Sequence, residues 1–146
     1  MGVFALKRLV RLFAISLVCQ VPLAAAQDST NSGVIEGPMS YPSDYLPNDL
    51  TVCAERIAGG AEYCTDDKIK DKRSATGVGY KLSVPAGEYW VYATAFSVPA
   101  MKGEKAYYSE FVTCGLRNGC PSHKRIPVRV RAGETVTGVH PGDWYD

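Results

Sequence analysis

The sequence predicts an all-β fold, an antiparallel β-sandwich of about seven short strands. Apolar and polar residues alternate through 80–84, which is the two-residue period of a strand with one buried face. The same period divides 89–96 into a set of small or aliphatic residues with Tyr89 and a set that contains Trp90, Tyr92 and Phe96. Proline and glycine residues separate these and the other short apolar segments, as turns do between strands. After the N-terminal leader, no apolar stripe recurs at the 3.6-residue period of a helix.

The first 26 residues have the organisation of a secretory signal peptide. They contain a basic start, a short apolar run and small residues before a cleavage position, at 7–11, 12–21 and 24–26. The apolar run is shorter than the roughly 20 residues of a spanning helix, so we expect no membrane span after signal removal. Cys19 follows the bulky Val18, which departs from the small-residue pattern of lipoprotein signals. We therefore expect a periplasmic or secreted protein without a lipid anchor at Cys19.

The remaining residues, 27–146, are expected to form one domain. Within it, 27–33 is a polar, flexible tail and 34–146 is the β-sandwich. Removing the leader changes the balance from 16 basic and 15 acidic residues to 13 and 15. A nearly neutral chain lacks the basic surface that nucleic acid binding requires, so nucleic acid is not an expected partner.

Four cysteines remain in this exported domain, which predicts two disulfides among three possible pairings. The segments 50–56 and 61–65 flank a glycine turn, and centring that turn at Ala58-Gly59 places Cys53 opposite Cys64. This register favours a Cys53–Cys64 bridge. Cys114 and Cys120 enclose five residues, so a bridge between them would mainly hold the shape of one loop.

The other segments are assigned from their alternation and their turn residues. A first strand over 34–39 contains Gly37 and Pro38, which favours an edge strand or a strand that ends in a bulge, because proline cannot donate to the ladder. The proline-rich stretch 41–49 is expected to be a loop. The charged stretch 66–74 is expected to be a solvated loop, because its aspartates lack the spacing of a calcium site. Further strands are expected at 106–112, 126–131 and 134–139.

The segment 80–96 is expected to be a hairpin whose two strands lie side by side. Pro85 presets φ for the turn, and Gly87 supplies a residue that tolerates positive φ, as in a type I turn closed by a bulged glycine. The alternation then places Trp90, Tyr92 and Phe96 on the same face of the second strand.

These three rings, together with Tyr107 and Tyr108 on an expected neighbouring strand, form a candidate binding face. Aromatic side chains on an open sheet face stack on sugars or anchor a protein partner, because they bury much area at low entropic cost. A strand covered on both faces would have the same sequence pattern, with the rings in the core. The exposure of Trp90 and Tyr92 decides between these interpretations.

Three segments resemble the carboxypeptidase regulatory-like, or transthyretin-like, β-sandwich domains. They are Gly33-Val34-Ile35-Glu36-Gly37, the Tyr-x-Leu-x-Val-Pro-Ala-Gly-x-Tyr-x-Val-x-Ala pattern at 80–93, and 127–136 with its Ala-Gly-Glu-Thr turn. The resemblance implies a sandwich that acts as a folding partner, an adhesion or binding module, or a spacer. Transthyretin-like hydrolases end in Tyr-Arg-Gly-Ser, whereas this chain ends in Asp-Trp-Tyr-Asp, so their activity is not carried over. The two cysteine pairs suggest a specialised exported subgroup.

We expect no catalytic residue, no metal and no cofactor. His123 and His140 are the only histidines of the chain, and both lie in loops that contain proline. Nucleophilic catalysis requires a base within hydrogen-bonding reach of the nucleophile, and no pattern in the sequence places a histidine beside a serine, cysteine or threonine in this way. A zinc site made by Cys114, Cys120 and the histidines would lack a compact ligand spacing, and exported thiols usually oxidise.

The sequence therefore predicts a non-enzymatic exported module, with a binding or structural role toward an unidentified protein or glycan of the cell envelope. The alternative is a small enzyme inhibitor, in which the Cys114–Cys120 loop enters a cleft with Arg117 at its tip. A transthyretin-like hydrolase, the third possibility, would need histidine and arginine side chains clustered in one pocket.

Overall fold

The computed structural model describes residues 31–145, which form two packed β-sheets, two disulfides, one short α-helix and a 3₁₀-helix at Pro99–Met101. The elements are β1 Ser32–Pro38, β2 Thr51–Arg56, β3 Glu62–Thr65, β4 Lys68–Lys70, β5 Val78–Pro85, β6 Gly87–Thr94, β7 Ala106–Tyr107, α1 Glu110–Cys114, β8 Val128–Val130 and β9 Thr135–Val136. The all-β sandwich prediction is confirmed. The predicted signal peptide, including Cys19, lies outside the described residues. Within 31–145, no helix is long and apolar enough to cross a membrane.

Sheet A has the strand order β4–β5–β1–β9, and sheet B has the order β3–β2–β6–β7. Neighbouring strands are antiparallel except β1 and β9, which are parallel. β8 pairs with the beginning of β6 and β7 with its later part, so two short strands share one side of β6. The outer face of sheet B is therefore assembled from five strands.

The side chains that point between the sheets follow the alternation expected from the sequence. On β2 the apolar positions Val52 and Ala54 are buried, as is Leu50 just before the strand. On β5 and β6 the largest buried side chains are Tyr80 and Tyr89. Their hydroxyl groups donate to backbone oxygens, Tyr80 to that of Val139 at 2.9 Å and Tyr89 to that of Pro85 at 2.5 Å. Each ring thus fills the core without leaving its polar group unpaired.

The prediction of a hairpin over 80–96 is wrong, because β5 belongs to sheet A and β6 to sheet B. Alternation tells which side chains point inward, and two strands on opposite sides of one core show the same pattern as two paired strands. Gly87 does not adopt positive φ. A Cβ at Gly87 would lie 3.1 Å from Arg56 Nε, and Arg56 Nη2 donates to the Ala86 oxygen at 3.0 Å. Because Gly87 has no side chain, the Arg56 guanidinium group fits against the backbone at this position.

The edge position predicted for the first strand is also wrong, since β1 lies between β5 and β9. Pro38 is the last residue of β1, where the missing N–H does not interrupt the ladder. Gly37 allows the later chain to pass closely, because a Cβ there would lie 2.0 Å from the Val139 oxygen. β1 begins at Ser32, so it includes the last two residues of the predicted tail 27–33.

The segment 106–112, predicted to be one strand, contains only the two-residue strand β7 and then the start of α1. Ser109 caps α1 by accepting a hydrogen bond from Val112 N, and Gly115 ends it with a left-handed φ of 104°. The charged stretch 66–74 likewise differs from its prediction, since its middle forms β4 on the edge of sheet A.

Candidate functional site

The five aromatic residues of the predicted binding face occupy three different environments. Trp90, Tyr92 and Tyr107 lie on the outer face of sheet B, where Tyr92 and Tyr107 are cross-strand neighbours. Tyr108 instead packs against the core between the sheets. Phe96 lies beyond the end of β6 and is 58% exposed. The prediction that they share one face is therefore wrong for Tyr108, whereas Phe96 lies outside the paired part of the strand.

Tyr92 is only 3% exposed although it lies on the outer face. Lys105 Nζ lies 4.1 Å from the centre of its ring, and the Tyr107 ring packs at 5.5 Å. Its hydroxyl group donates to a carboxylate oxygen of Glu62. Burial, together with this hydrogen bond, raises the pKa of Tyr92 to about 12. Tyr92 is thus a covered structural residue, whereas Trp90 remains partly exposed.

Lys105 also offsets the repulsion between two glutamates that the predicted strand register places opposite each other. Cys53 pairs with Cys64 across β2 and β3, as expected, and this register places Glu55 opposite Glu62. Lys105 Nζ lies 3.6 Å from a Glu55 oxygen and 3.7 Å from a Glu62 oxygen. One cation therefore serves both carboxylates and the Tyr92 ring, which closes this part of the face to a ligand.

Phe96 instead borders an open groove of about 560 Å³ at one end of the sandwich. Tyr45, 63% exposed, lies on the same groove. The Asp49 carboxylate holds its wall in place: it accepts hydrogen bonds from Ser97 Oγ at 2.5 Å, Ser97 N at 2.7 Å and Phe96 N at 2.9 Å. These bonds, that of the Ser97 hydroxyl first, lower the pKa of Asp49. The backbone under Phe96 is therefore ordered while its ring faces solvent.

The second disulfide joins Cys114 to Cys120 and closes the loop that follows α1. Gly115 and Leu116 both have positive φ, of 104° and 54°, so the chain turns sharply at the helix end. Cys120 N donates to the Arg117 oxygen at 2.9 Å, which forms a second turn inside the loop. The Arg117 side chain is exposed at the tip of this doubly turned, covalently closed loop.

A buried carboxylate anchors the base of this loop. Asp143 is 3% exposed, and its Oδ2 accepts a hydrogen bond from Ser109 Oγ at 2.5 Å. His123 Nδ1 lies 3.0 Å from both oxygens of the same carboxylate. The His123 ring stacks on Phe111 of α1 with 4.5 Å between ring centres, and the Tyr145 ring packs edge-on against Phe111 with 6.1 Å between ring centres. α1, the loop after Cys120 and the chain end thus meet at one carboxylate.

Sequence reasoning missed this cluster, because its members come from three distant segments. The Ser109–Asp143–His123 order differs from that of a nucleophile, base and acid, since the fully buried serine donates to the carboxylate rather than to the imidazole. His140 lies outside this cluster: its Nε2 is 2.6 Å from Ser40 Oγ, and burial lowers the pKa of its imidazole. The two histidines of the chain therefore have different partners.

The thiols considered for a zinc site are bonded to each other in the Cys114–Cys120 disulfide. In the described part of the chain, the one group of potential ligands whose donor atoms lie close together is Cys53, Glu62 and Cys64. Both of its sulfurs belong to the first disulfide, so they do not offer the thiolate that zinc binds.

Comparison of the chain with protein-family models, with curated proteins and with solved structures finds no match. The resemblance to carboxypeptidase regulatory-like domains therefore stays a prediction.

Proposed function

We propose that this chain is an exported, non-enzymatic binding module that contacts a partner protein through the end of the sandwich that carries α1. We call this surface the loop platform; it consists of Phe111, Arg117, His123, Lys124 and Tyr145. The observation that carries the proposal is the closed Cys114–Cys120 loop, which is anchored on the buried Asp143 and presents Arg117 to solvent.

The composition of the loop platform supports a protein partner. Tyrosine and arginine are enriched among the residues that dominate binding energy at protein interfaces. Tyr145 is 62% exposed and packs against Phe111, so its ring is held at the surface by another ring. Within residues 31–145, no carboxylate oxygen lies within 4.0 Å of the side-chain nitrogens of Arg117 or Lys124. Both cations are therefore available to an acidic partner.

The construction of the loop also favours binding over a purely structural role. A loop that must become ordered on binding loses affinity, and a loop that is already held in place avoids that cost. Here the disulfide, the left-handed residues Gly115 and Leu116, and the Ser109 cap all restrict the loop before any partner arrives. The two formed disulfides also support an oxidising compartment, consistent with the predicted periplasmic or secreted location.

Enzyme inhibition is the specific form of this function that the loop geometry favours. A narrow, rigid loop with one cation at its tip fits a concave acidic site better than a flat one. In that case the partner would be an enzyme, and Arg117→Ala would release its inhibition. A partner without an active site at the contact would instead indicate an adhesion or assembly module.

The test uses a photo-crosslinking residue in the full chain, expressed in an exporting host. Asn118→p-benzoylphenylalanine places the probe beside Arg117, and Ala58→p-benzoylphenylalanine places it on the exposed β2–β3 turn as a control. We expect one dominant protein adduct from position 118, lost on Arg117→Ala, and none from position 58. Identical adducts from both positions, or an adduct at 118 that persists with Arg117→Ala, would contradict the proposal.

A glycan ligand is a second candidate, favoured by the groove between Tyr45 and Phe96. Two exposed rings beside an open groove can stack on the faces of sugar rings. Titration with soluble cell-wall oligosaccharides should then quench the tyrosine fluorescence of the protein or shift the NMR resonances of Phe96. Tyr45→Ala with Phe96→Ala should abolish the response, whereas Trp90→Ala should leave it unchanged.

A further inference from the structure

A long segment of the chain carries positive charge without any negative charge. Residues 111–133 contain five arginine and lysine residues and no aspartate or glutamate. Their cations are Arg117, Lys124, Arg125, Arg129 and Arg131. Five of the 13 basic residues of the predicted mature chain therefore lie in 23 of its 120 residues.

Three of these arginines form a row on the outer face of sheet B, which we call the basic row: Arg125, Arg129 and Arg131. Odd positions from 125 to 131 are exposed, while Val128 and Val130 between them are buried. The Arg125 guanidinium lies 3.7 Å above the Tyr107 ring, on the outer face. Arg129 is opposite Glu88, an outward residue of β6. At about 3.3 Å per extended residue, the row is about 20 Å long.

The basic row has little internal neutralisation. Among the described residues, no carboxylate oxygen lies within 4.0 Å of the side-chain nitrogens of Arg125 or Arg131. Arg129 Nε is 3.9 Å from Glu88, and because both side chains are more than half exposed the pair is weak. The Glu134 carboxylate lies at one end of the row, where it accepts a hydrogen bond from Arg131 N at 2.9 Å. Glu55 and Glu62 lie on β2 and β3 and share Lys105. The guanidinium groups of Arg125 and Arg131 therefore remain available to an external anion.

Trp90 lies beside this row on the same face. It is two residues from Glu88 along β6 and remains partly exposed. Tryptophan is enriched where a protein meets the headgroup layer of a membrane, because its ring is apolar with one polar group. A partly exposed tryptophan next to a row of arginines therefore matches a lipid surface better than a soluble anion.

The point at which β1 begins also favours a membrane. Gly133 N donates to the Ser32 oxygen at 2.8 Å, so β1 begins close to one end of the basic row, near Arg131. The predicted apolar signal segment 12–21 is separated from Ser32 by ten residues, which span about 35 Å at most. Until the predicted signal is cleaved, this length limits how far the basic row can lie from the exporting membrane.

We propose that the basic row, with Trp90, binds the anionic phospholipid surface of the membrane across which the chain is exported. This inference is independent of the loop platform. Each cation close to an anionic membrane strengthens binding about fivefold at low salt. Arg129 and Arg131 together should therefore contribute a factor of about 25.

The test measures co-sedimentation of the full chain with vesicles of phosphatidylglycerol and phosphatidylcholine in equal amounts, and with phosphatidylcholine vesicles alone. We compare R129Q/R131Q with K70Q/K72Q, which removes the same charge from exposed positions at the β4 edge of sheet A. We expect R129Q/R131Q to lower the partition coefficient on anionic vesicles about 10- to 25-fold, and K70Q/K72Q to change it less than twofold. Any contribution of the apolar segment is the same in all three proteins.

Three outcomes would overturn the proposal: equal binding to both vesicle types, equal losses in both variants, or complete competition by dextran sulfate at charge equivalence. The last result would identify a soluble polyanion as the ligand. Thermal unfolding verifies that each variant is folded. A salt titration of the unmodified chain gives a result that does not depend on any variant, since release between 50 and 500 mM salt is expected for electrostatic binding.

Discussion

The regions around the two disulfides are built in opposite ways. Cys53–Cys64 joins β2 to β3, which are already paired over four residue positions, and Cys53 is buried. Cys114–Cys120 closes a loop after α1, where no strand pairing holds the chain. The first disulfide therefore reinforces a pair of strands that hydrogen bonds already hold together. The second disulfide is itself what holds its loop in one conformation.

This difference explains why the loop platform needs a second anchor. Around Cys53, the cross-strand contacts, the Tyr92 ring and Lys105 cover the face and leave little for a ligand to contact. Around Cys114, a five-residue helix and the buried Asp143 support the loop from below, and Arg117 stays exposed. Exposure with rigidity is what a binding surface requires.

The largest effect is expected when the anchor of the loop platform is removed. Asp143→Ala leaves Ser109 and His123 without their shared acceptor in a buried site, which should lower the free energy of unfolding by about 3 to 4 kcal/mol. Urea unfolding measures this change. Asp143→Asn is the control, because its amide oxygen can still accept from Ser109; an equal loss in both variants would contradict a hydrogen-bonding role.

The next largest effects are expected when either disulfide is removed, and they should differ between the two regions. Cys53→Ala with Cys64→Ala should cost about 3 kcal/mol and Cys114→Ala with Cys120→Ala about 2 kcal/mol, from the loop lengths that they close. Amide exchange should then differ in kind. We expect faster exchange confined to 109–120 in the second variant, and no comparable local opening of β2–β3 in the first. If both variants showed the same local increase in amide exchange, the two disulfides would not differ in the way described.

A smaller effect is expected from the cation that covers the first region. Lys105→Ala exposes the Tyr92 ring and leaves Glu55 opposite Glu62 without their shared cation, at a cost of about 1 kcal/mol. Lys105→Met keeps the aliphatic packing and isolates the charge. Thermal unfolding with and without 0.5 M salt provides the measurement; a loss that salt does not reduce would argue against the electrostatic part.

The smallest effect is a change at high pH. The folded pKa of Tyr92 is about 12, above the ordinary value of 10, so the folded state favours the neutral phenol. Its contribution is complete below pH 10 and is lost as the pH rises toward 12. Tyr92→Phe should therefore make the free energy of unfolding fall less steeply between pH 10 and 12. Parallel curves for the two proteins would contradict this role.

Local pattern was sufficient for several features of the fold. The turn at Ala58-Gly59 set the register that brings Cys53 opposite Cys64, because hairpin register depends on neighbouring residues alone. Alternation identified the positions of β2, β5 and β6 that point between the sheets for the same local reason. Local pattern failed at α1: Ser109 and Gly115 are ordinary helix start and stop residues, but the alternation of 106–112 led to the prediction of a strand there.

The sequence by itself determined that this chain is an all-β protein with two disulfides, because alternation, turn residues and cysteine register act over a few residues. Tertiary structure alone decided that β5 and β6 lie in different sheets, since strand partners depend on competition among all strands for the same backbone groups. It also decided that Tyr92 is covered while Trp90 and Arg117 are not, and that Asp143 meets Ser109 and His123. The two contacts of Asp143 join segments 34 and 20 residues apart, and at such separations the spacing of residues in the sequence does not predict which side chains meet.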